Sequence, residues 1–216
     1  MPEEEAIDRA LRLFWKQGYD RTSVADLSSA LGVGPSSLYN AFGSKQNLFR
    51  RAIEHYASTY TSFIDHALEG DLDVEPAIRG LLREAAAVYA SPDSPPGCAV
   101  MQSAGAASPG DSEAAAITLE VKAEVERQIA VLIEKASRNH GTRLSASPRL
   151  LAKYLNGTLR GLSQLVIDGV AVSDLMQICD VASAACVAVD GPTDPAPTSS
   201  SSEGAMRETV QEVEDT

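Results

Sequence analysis

Residues 22–43 read Thr-Ser-Val-Ala-Asp-Leu-Ser-Ser-Ala-Leu-Gly-Val-Gly-Pro-Ser-Ser-Leu-Tyr-Asn-Ala-Phe-Gly, and the fold turns on them. Ser23 and Asp26 have the spacing of a capping box, with Asp in place of the usual Glu. Val24, Leu27, Ala30 and Leu31 then supply the apolar stripe of a short helix that Gly32 ends. Gly34 can cap the next helix, and Pro35 suits its first position, where a missing N–H costs nothing. Leu38, Ala41 and Phe42 face inward before Gly43 closes the segment. Two short helices broken at Gly32-Val33-Gly34 predict a helix-turn-helix.

Working outward, Ile7, Ala10, Leu11, Phe14 and Trp15 recur at helical spacing up to Gly18. On the other side Ser44 caps a fourth helix predicted from Lys45 to about residue 68, with Leu48, Phe49, Ala52, Ile53, Tyr56, Tyr60, Phe63 and Ile64 on its apolar stripe. Further helices are predicted at 74–90, 98–106, 112–138, 148–168 and 174–189, divided by the Pro- and Ser-rich segment 91–97, by 108–111, by Gly141 and by Ser147-Pro148. No period-2 strand and no repeat is found. The expected architecture is all-α with about nine helices. An N-terminal three-helix helix-turn-helix domain (1–50) continues through helix four into a helical domain (51–190), and 191–216 is expected to be a flexible acidic tail, too poor in apolar residues to offset its ordering entropy.

A net charge of −12 over 216 residues argues against nucleic-acid binding only while it is averaged. Between Arg9 and Ile53 the cations are Arg9, Arg12, Lys16, Arg21, Lys45, Arg50 and Arg51 and the acids only Asp20 and Asp26, a local charge of +5. The surplus acid lies in Glu3, Glu4 and Glu5 and in Asp194, Glu203, Glu208, Glu212, Glu214 and Asp215. Three cysteines, an odd number at low density, fit a reducing cytoplasm better than a disulfide framework. The acidic start does not read as a signal peptide, and Asp168, Asp174 and Asp180 interrupt the apolar stretch 161–190, so no membrane partner is expected.

With Leu38 and Phe42 buried, Pro35, Ser36, Ser37, Tyr39 and Asn40 form the outward face of the third helix, small and polar enough to approach base edges in double-stranded DNA. Arg21, Thr22, Ser23 and Lys45, at the starts of the second and fourth helices, are suited to phosphate. The plainer reading of each is a solvated or turn-forming surface residue. Over residues 6–53, through Gly18-Tyr19-Asp20-Arg21-Thr22-Ser23-Val24-Ala25-Asp26-Leu27, Ala30-Leu31-Gly32-Val33 and Ser37-Leu38-Tyr39-Asn40-Ala41-Phe42-Gly43-Ser44-Lys45-Gln46-Asn47-Leu48-Phe49, the sequence resembles the TetR family of bacterial transcriptional regulators. The resemblance implies a homodimer joined through its last two long helices, a small-molecule pocket in the C-terminal domain, and repression relieved by a bound effector. Three departures stand out. Glu3-Glu4-Glu5 replaces a basic segment ahead of the first helix, Pro35 stands where a long side chain is common, and Gly34 stands in place of a Ser cap.

Pocket candidates chosen by position are Phe63, Tyr89, Cys98, Met101, Gln102 and Tyr154. Gly157 and Gly161, with Leu155, Leu159, Leu162, Leu165, Leu175, Ile178, Ala182 and Ala185, mark either a close helix–helix interface between two copies or a locally weakened helix. Cys98, after Pro-Pro-Gly at a predicted helix start, is either a buried small hydrophobe or a thiol sensor of oxidants or electrophiles. His55, His66 and His140 show no metal-ligand spacing, and no phosphate loop or nucleophile elbow is present, so neither an enzyme nor a cofactor is expected.

Overall fold

The computed structural model describes residues 1–103 and 113–188, and the described residues form ten helices and no sheet. They are α1 Glu3–Gln17, α2 Val24–Leu31, α3 Pro35–Phe42, α4 Lys45–Tyr60, α5 Ser62–Glu69, α6 Val74–Tyr89, α7 Ala99–Gln102, α8 Glu113–His140, α9 Pro148–Ile167 and α10 Val172–Ala184. The expected tail, residues 191–216, and the last three residues of the helix predicted at 98–106 lie outside the described residues.

The capping box forms as predicted. Ser23 Oγ accepts from the Asp26 N–H at 3.1 Å, and the Asp26 carboxylate accepts from the Ser23 N–H at 2.8 Å. The Ser23 hydroxyl, which donates to the carboxylate at 2.6 Å, and after it the Ser23 N–H hold the Asp26 carboxyl below the usual carboxylate range. Gly32 takes the left-handed conformation at φ +66°, and Val33 N–H returns to the Ser28 carbonyl at 3.0 Å, which ends α2 and turns the chain into α3. Leu11, Phe14, Leu27, Leu38, Leu48, Phe49 and Ile53 fill the N-terminal core, with Phe14 and Phe49 edge-to-face at 5.1 Å.

One expectation is corrected in α4, which stops at Tyr60 instead of continuing to about residue 68. The Thr61 hydroxyl donates to the Ala57 carbonyl at 2.5 Å, and the run Ser58-Thr59-Tyr60-Thr61 is weak helix-forming sequence, so the axis breaks at Thr61 and restarts as α5. This break accounts for the tenth helix.

Candidate DNA-binding surface and internal cavity

Pro35, Ser36, Ser37, Tyr39 and Asn40 are all exposed on α3, and Tyr39 has 47% of its surface free. No side chain caps this helix, so the Ser36 and Ser37 amides at its start carry no capping bond. Arg21 is exposed, with Nε donating to the Gln17 carbonyl at 2.7 Å. Thr22 departs from expectation. It is fully buried and its hydroxyl donates to the Gly18 carbonyl at 2.7 Å, so it locks the α1–α2 turn and presents nothing to a phosphate. Ser23 is exposed, but its hydroxyl is committed to Asp26.

Lys45 opens α4, and its ammonium lies 4.1 Å from the centre of the Tyr19 ring. Burial there lowers its pKa, against the pull of Asp20. Tyr19 in turn stacks between Phe14 at 5.9 Å and Phe49 at 4.9 Å. Sequence reading missed this supporting role, because only the folded turn brings residue 19 beneath residue 45. The local +5 also thins out on folding. Arg9 pairs with Glu5, Arg12 with Asp8, Arg50 with Glu120 and Arg51 with Glu3, which leaves Lys16, Arg21 and Lys45 without an ion pair among the described residues.

A cavity lies among the helices that follow the helix-turn-helix. Tyr56, Thr61, Phe63, Ile64, Tyr89, Cys98, Val100, Met101, Val121, Lys122, Val125, Asn156 and Leu159 line this narrow space of about 30 Å³. Phe63, Tyr89, Cys98 and Met101 are thus brought together as expected. Gln102 is not among them and lines a separate cleft with Gln17, Gly18, Tyr19, Asp20, Arg21 and Ser103. Tyr154 is not among them either, because its phase on α9 points outward, and 43% of its surface is free. Among the members that sequence reading missed are Tyr56 on α4, Val121, Lys122 and Val125 on α8 and Asn156 on α9, which carried no signal marking them as cavity-facing.

Cys98 is the hub of the cavity's polar side. Tyr56 Oη donates to its Sγ at 3.5 Å, and its backbone N–H donates to Ser163 Oγ at 2.9 Å. Burial raises the pKa of both Tyr56 and Tyr89 well above the usual phenol value, so both hydroxyls stay protonated. From Cys98 the chain runs through α7 to Ser103, whose carbonyl accepts the Tyr19 N–H at 2.7 Å. The cavity and the ring beneath Lys45 are therefore joined by four helical residues and one hydrogen bond.

The outer faces of α9 and α10 carry a shallow apolar groove lined by Tyr154, Thr158, Gly161, Leu162, Leu165, Gln177, Ile178, Val181 and Ala182. Gly161 and Ile178 are exposed there, Leu165 is half-buried and Val181 is 72% exposed, while Gly157 on α9 and Ala185 at the end of α10 are exposed outside the groove lining. Of the other residues predicted at the interface, Leu162 and Ala182 are buried in the floor of this groove, and Leu155, Leu159 and Leu175 are buried within the chain. The inward arc of each helix packs on α6 or α8, which claims those residues and leaves the small and flanking ones outside.

With this geometry in place, residues 6–52 match the family described as bacterial regulatory proteins, tetR family. The chain carries the DNA-binding domain of that family over these residues. The transcriptional repressor ComR of Escherichia coli K12 is 28% identical over 176 residues, 81% of this chain and 84% of ComR. The repressor BdcR of the same organism is 38% identical over 99 residues, 46% of this chain and 50% of BdcR. Among solved structures, a cysteine mutant of the TetR-family regulator CifR, complexed with 26-bp double-strand operator DNA, aligns with a TM-score of 0.79 at 29% identity over 86% of this chain and 97% of that one. The TetR-type domain here is the helix-turn-helix of α1 to α3, braced by α4. No helix among the described residues is long and apolar enough to cross a membrane, and none of them group as three or more metal-ligating side chains.

Proposed function

We propose that this chain is a homodimeric transcriptional repressor that binds a palindromic operator and is released by a small-molecule effector. The observation that carries the reading is the fully exposed, uncapped outer face of α3, with Ser36, Ser37, Tyr39 and Asn40 aimed away from a core anchored by Leu38 and Phe42. Arg21, the amides at the start of α4 and Lys45 flank that face as phosphate contacts. ComR and BdcR are named as repressors, and the CifR mutant carries operator DNA, which supports repression at an operator. Residues 1–50 act as the DNA-binding domain, α4 connects, and the region after 51 binds effector and dimerises. The second copy covers the outer faces of α9 and α10, where Gly157 and Gly161 allow close approach and Ile178 and Val181 supply apolar area. The effector enters the cavity around Tyr56, Phe63, Tyr89, Cys98 and Met101. Its occupancy displaces α7, and through the Ser103–Tyr19 bond it shifts the footing of Lys45 and the spacing of the paired α3 helices.

A second trigger is favoured by one observation, the placement of the Cys98 thiol in the cavity wall beside two phenol donors. An electrophile that alkylates this sulfur would occupy the same space. Cys98→Ser separates the two: release of DNA by an alkylating agent that persists in the variant excludes the thiol route.

The test of the reading as a whole is selection of duplexes from a random pool at moderate salt, followed by the affinity of the winner for wild type and Tyr39→Ala. A palindrome that binds wild type and loses affinity in the variant is the expected result. No enriched sequence, or equal affinity, overturns it.

A further inference from the structure

We propose that the cavity is an anion site, built to take the carboxylate head of a short-chain organic acid against the Lys122 ammonium and the Tyr56 and Tyr89 hydroxyls. The inference rests on the effector-cavity reading and adds the chemical class of the occupant.

Lys122 lines the cavity from α8 and is half-buried. Every described acid close to it along the helix is already engaged: Glu120 with Arg50 at 2.7 Å, Glu124 with Arg127, and Glu126 with Lys153 at 2.8 Å. Lys122 itself makes no ion pair among the described residues. Its environment works against its charge, since burial, and after it the positive Arg160 nearby, lower its pKa. A half-buried cation near a like charge and without an ion-pair partner among the described residues is an arrangement that an incoming anion relieves.

The rest of the wall fits the same occupant. Tyr56 and Tyr89 are protonated and can turn their hydroxyls from the Cys98 sulfur to an incoming anion, no carboxylate among the described residues lines the cavity to repel it, and Phe63, Ile64, Met101, Val121 and Val125 offer apolar contact to a short tail. The open space of about 30 Å³ is roughly that of one water molecule, which limits the head to a small group. A tail of one or two carbons then requires only that the unbranched, half-buried Met101 side chain turn aside.

The chain carries its own reporter. Trp15 is the single tryptophan and sits edge-to-face on Tyr56 at 5.1 Å. Formate, acetate and propionate, with acetamide and propionamide as neutral counterparts, are titrated into the full chain at constant ionic strength, with Trp15 fluorescence and calorimetry as readouts. Saturable binding of the acids, at least tenfold weaker for the amides and for Lys122→Met and retained by Lys122→Arg and Tyr39→Ala, is the expected outcome. Equal binding of acids and amides, full affinity in Lys122→Met, or no saturable binding of any acid overturns the proposal. Melting curves of the two Lys122 variants establish that each is folded. An acid that binds without releasing operator DNA supports the anion site and counts against the effector role. An operator that is never found defeats the regulatory reading and leaves the titration intact.

Discussion

The outer face of α3 and the cavity beneath α7, the two recognition surfaces of the proposed function, are written into the chain in opposite ways. The first is contiguous, with Pro35 to Asn40 on one short helix whose phase two buried residues, Leu38 and Phe42, fix completely. The second is assembled from α4, α5, α6, α7, α8 and α9, and its members lie from residue 56 to residue 159. A surface of the first kind is held by local capping and one small core, whereas one of the second kind depends on the mutual placement of whole helices. Damage to the first should therefore remain local, and damage to the second should spread.

The largest expected effect strikes the anchor of the contiguous surface. Leu38→Ala removes a fully buried side chain from the small N-terminal core and should cost about 3 kcal/mol in urea unfolding. A loss under about 1 kcal/mol would show that α3 does not depend on that anchor for its phase. Next comes Gly97→Ala, at the junction where the cavity segment meets α9. Gly97 has φ +82°, and an added Cβ would lie 2.9 Å from Ser163 Oγ and 3.0 Å from Ile167 Cδ1, so about 2 kcal/mol should be lost, with the Trp15 emission altered. An unchanged melting temperature and spectrum would mean that the cavity wall tolerates displacement and does not spread it. Tyr39→Ala should lower operator affinity about tenfold, roughly 1.4 kcal/mol, and leave the melting temperature where it was, since the side chain supports nothing else. A drop in stability would blur the distinction between the surfaces.

The smallest effect concerns pH. The Asp73 carboxyl is held below its ordinary range, first by the Thr142 hydroxyl and then by the Val74 N–H, so its contribution to stability is complete above the unfolded-state pKa and is lost as pH falls through the lower folded value. Asp73→Asn should lower stability slightly at neutral pH, where the carboxylate's contribution is complete, and the difference from wild type should shrink as pH falls below about 4, giving a flatter acid limb. An acid limb identical to wild type would remove this link between the start of α6 and the loop after α8.

The same contrast explains what could be read in advance. The helix-turn-helix, the caps at Ser23, Ser44 and Ser147 and the outward stripe of α3 follow from periods of three and four residues and from punctuation by Gly and Pro, all of which are local. Thr22 was not legible because a hydroxyl at a helix start reads alike whether it faces water or, as here, the Gly18 carbonyl. Lys122 and Asn156 were hidden for a different reason: polar residues on long helices read as solvated until a neighbouring helix closes over them. Leu155, Leu159 and Leu175, read with Leu162 and Leu165 as one interface, turn inward instead, since a wide apolar stripe does not say which arc the chain keeps for itself.

Helix α4 contributes to both surfaces, with Lys45 at its first position and Tyr56 eleven residues on in the cavity wall. It is a lever with its load at one end and its handle at the other, and the Arg50–Glu120 pair at 2.7 Å ties its middle to α8 like a stay near the pivot. Eleven residues of helix are about 16 Å long, so each degree of tilt about Tyr56 carries Lys45 roughly 0.3 Å. A tilt of ten degrees at the handle moves the load by about the length of a hydrogen bond, enough to make or miss a phosphate.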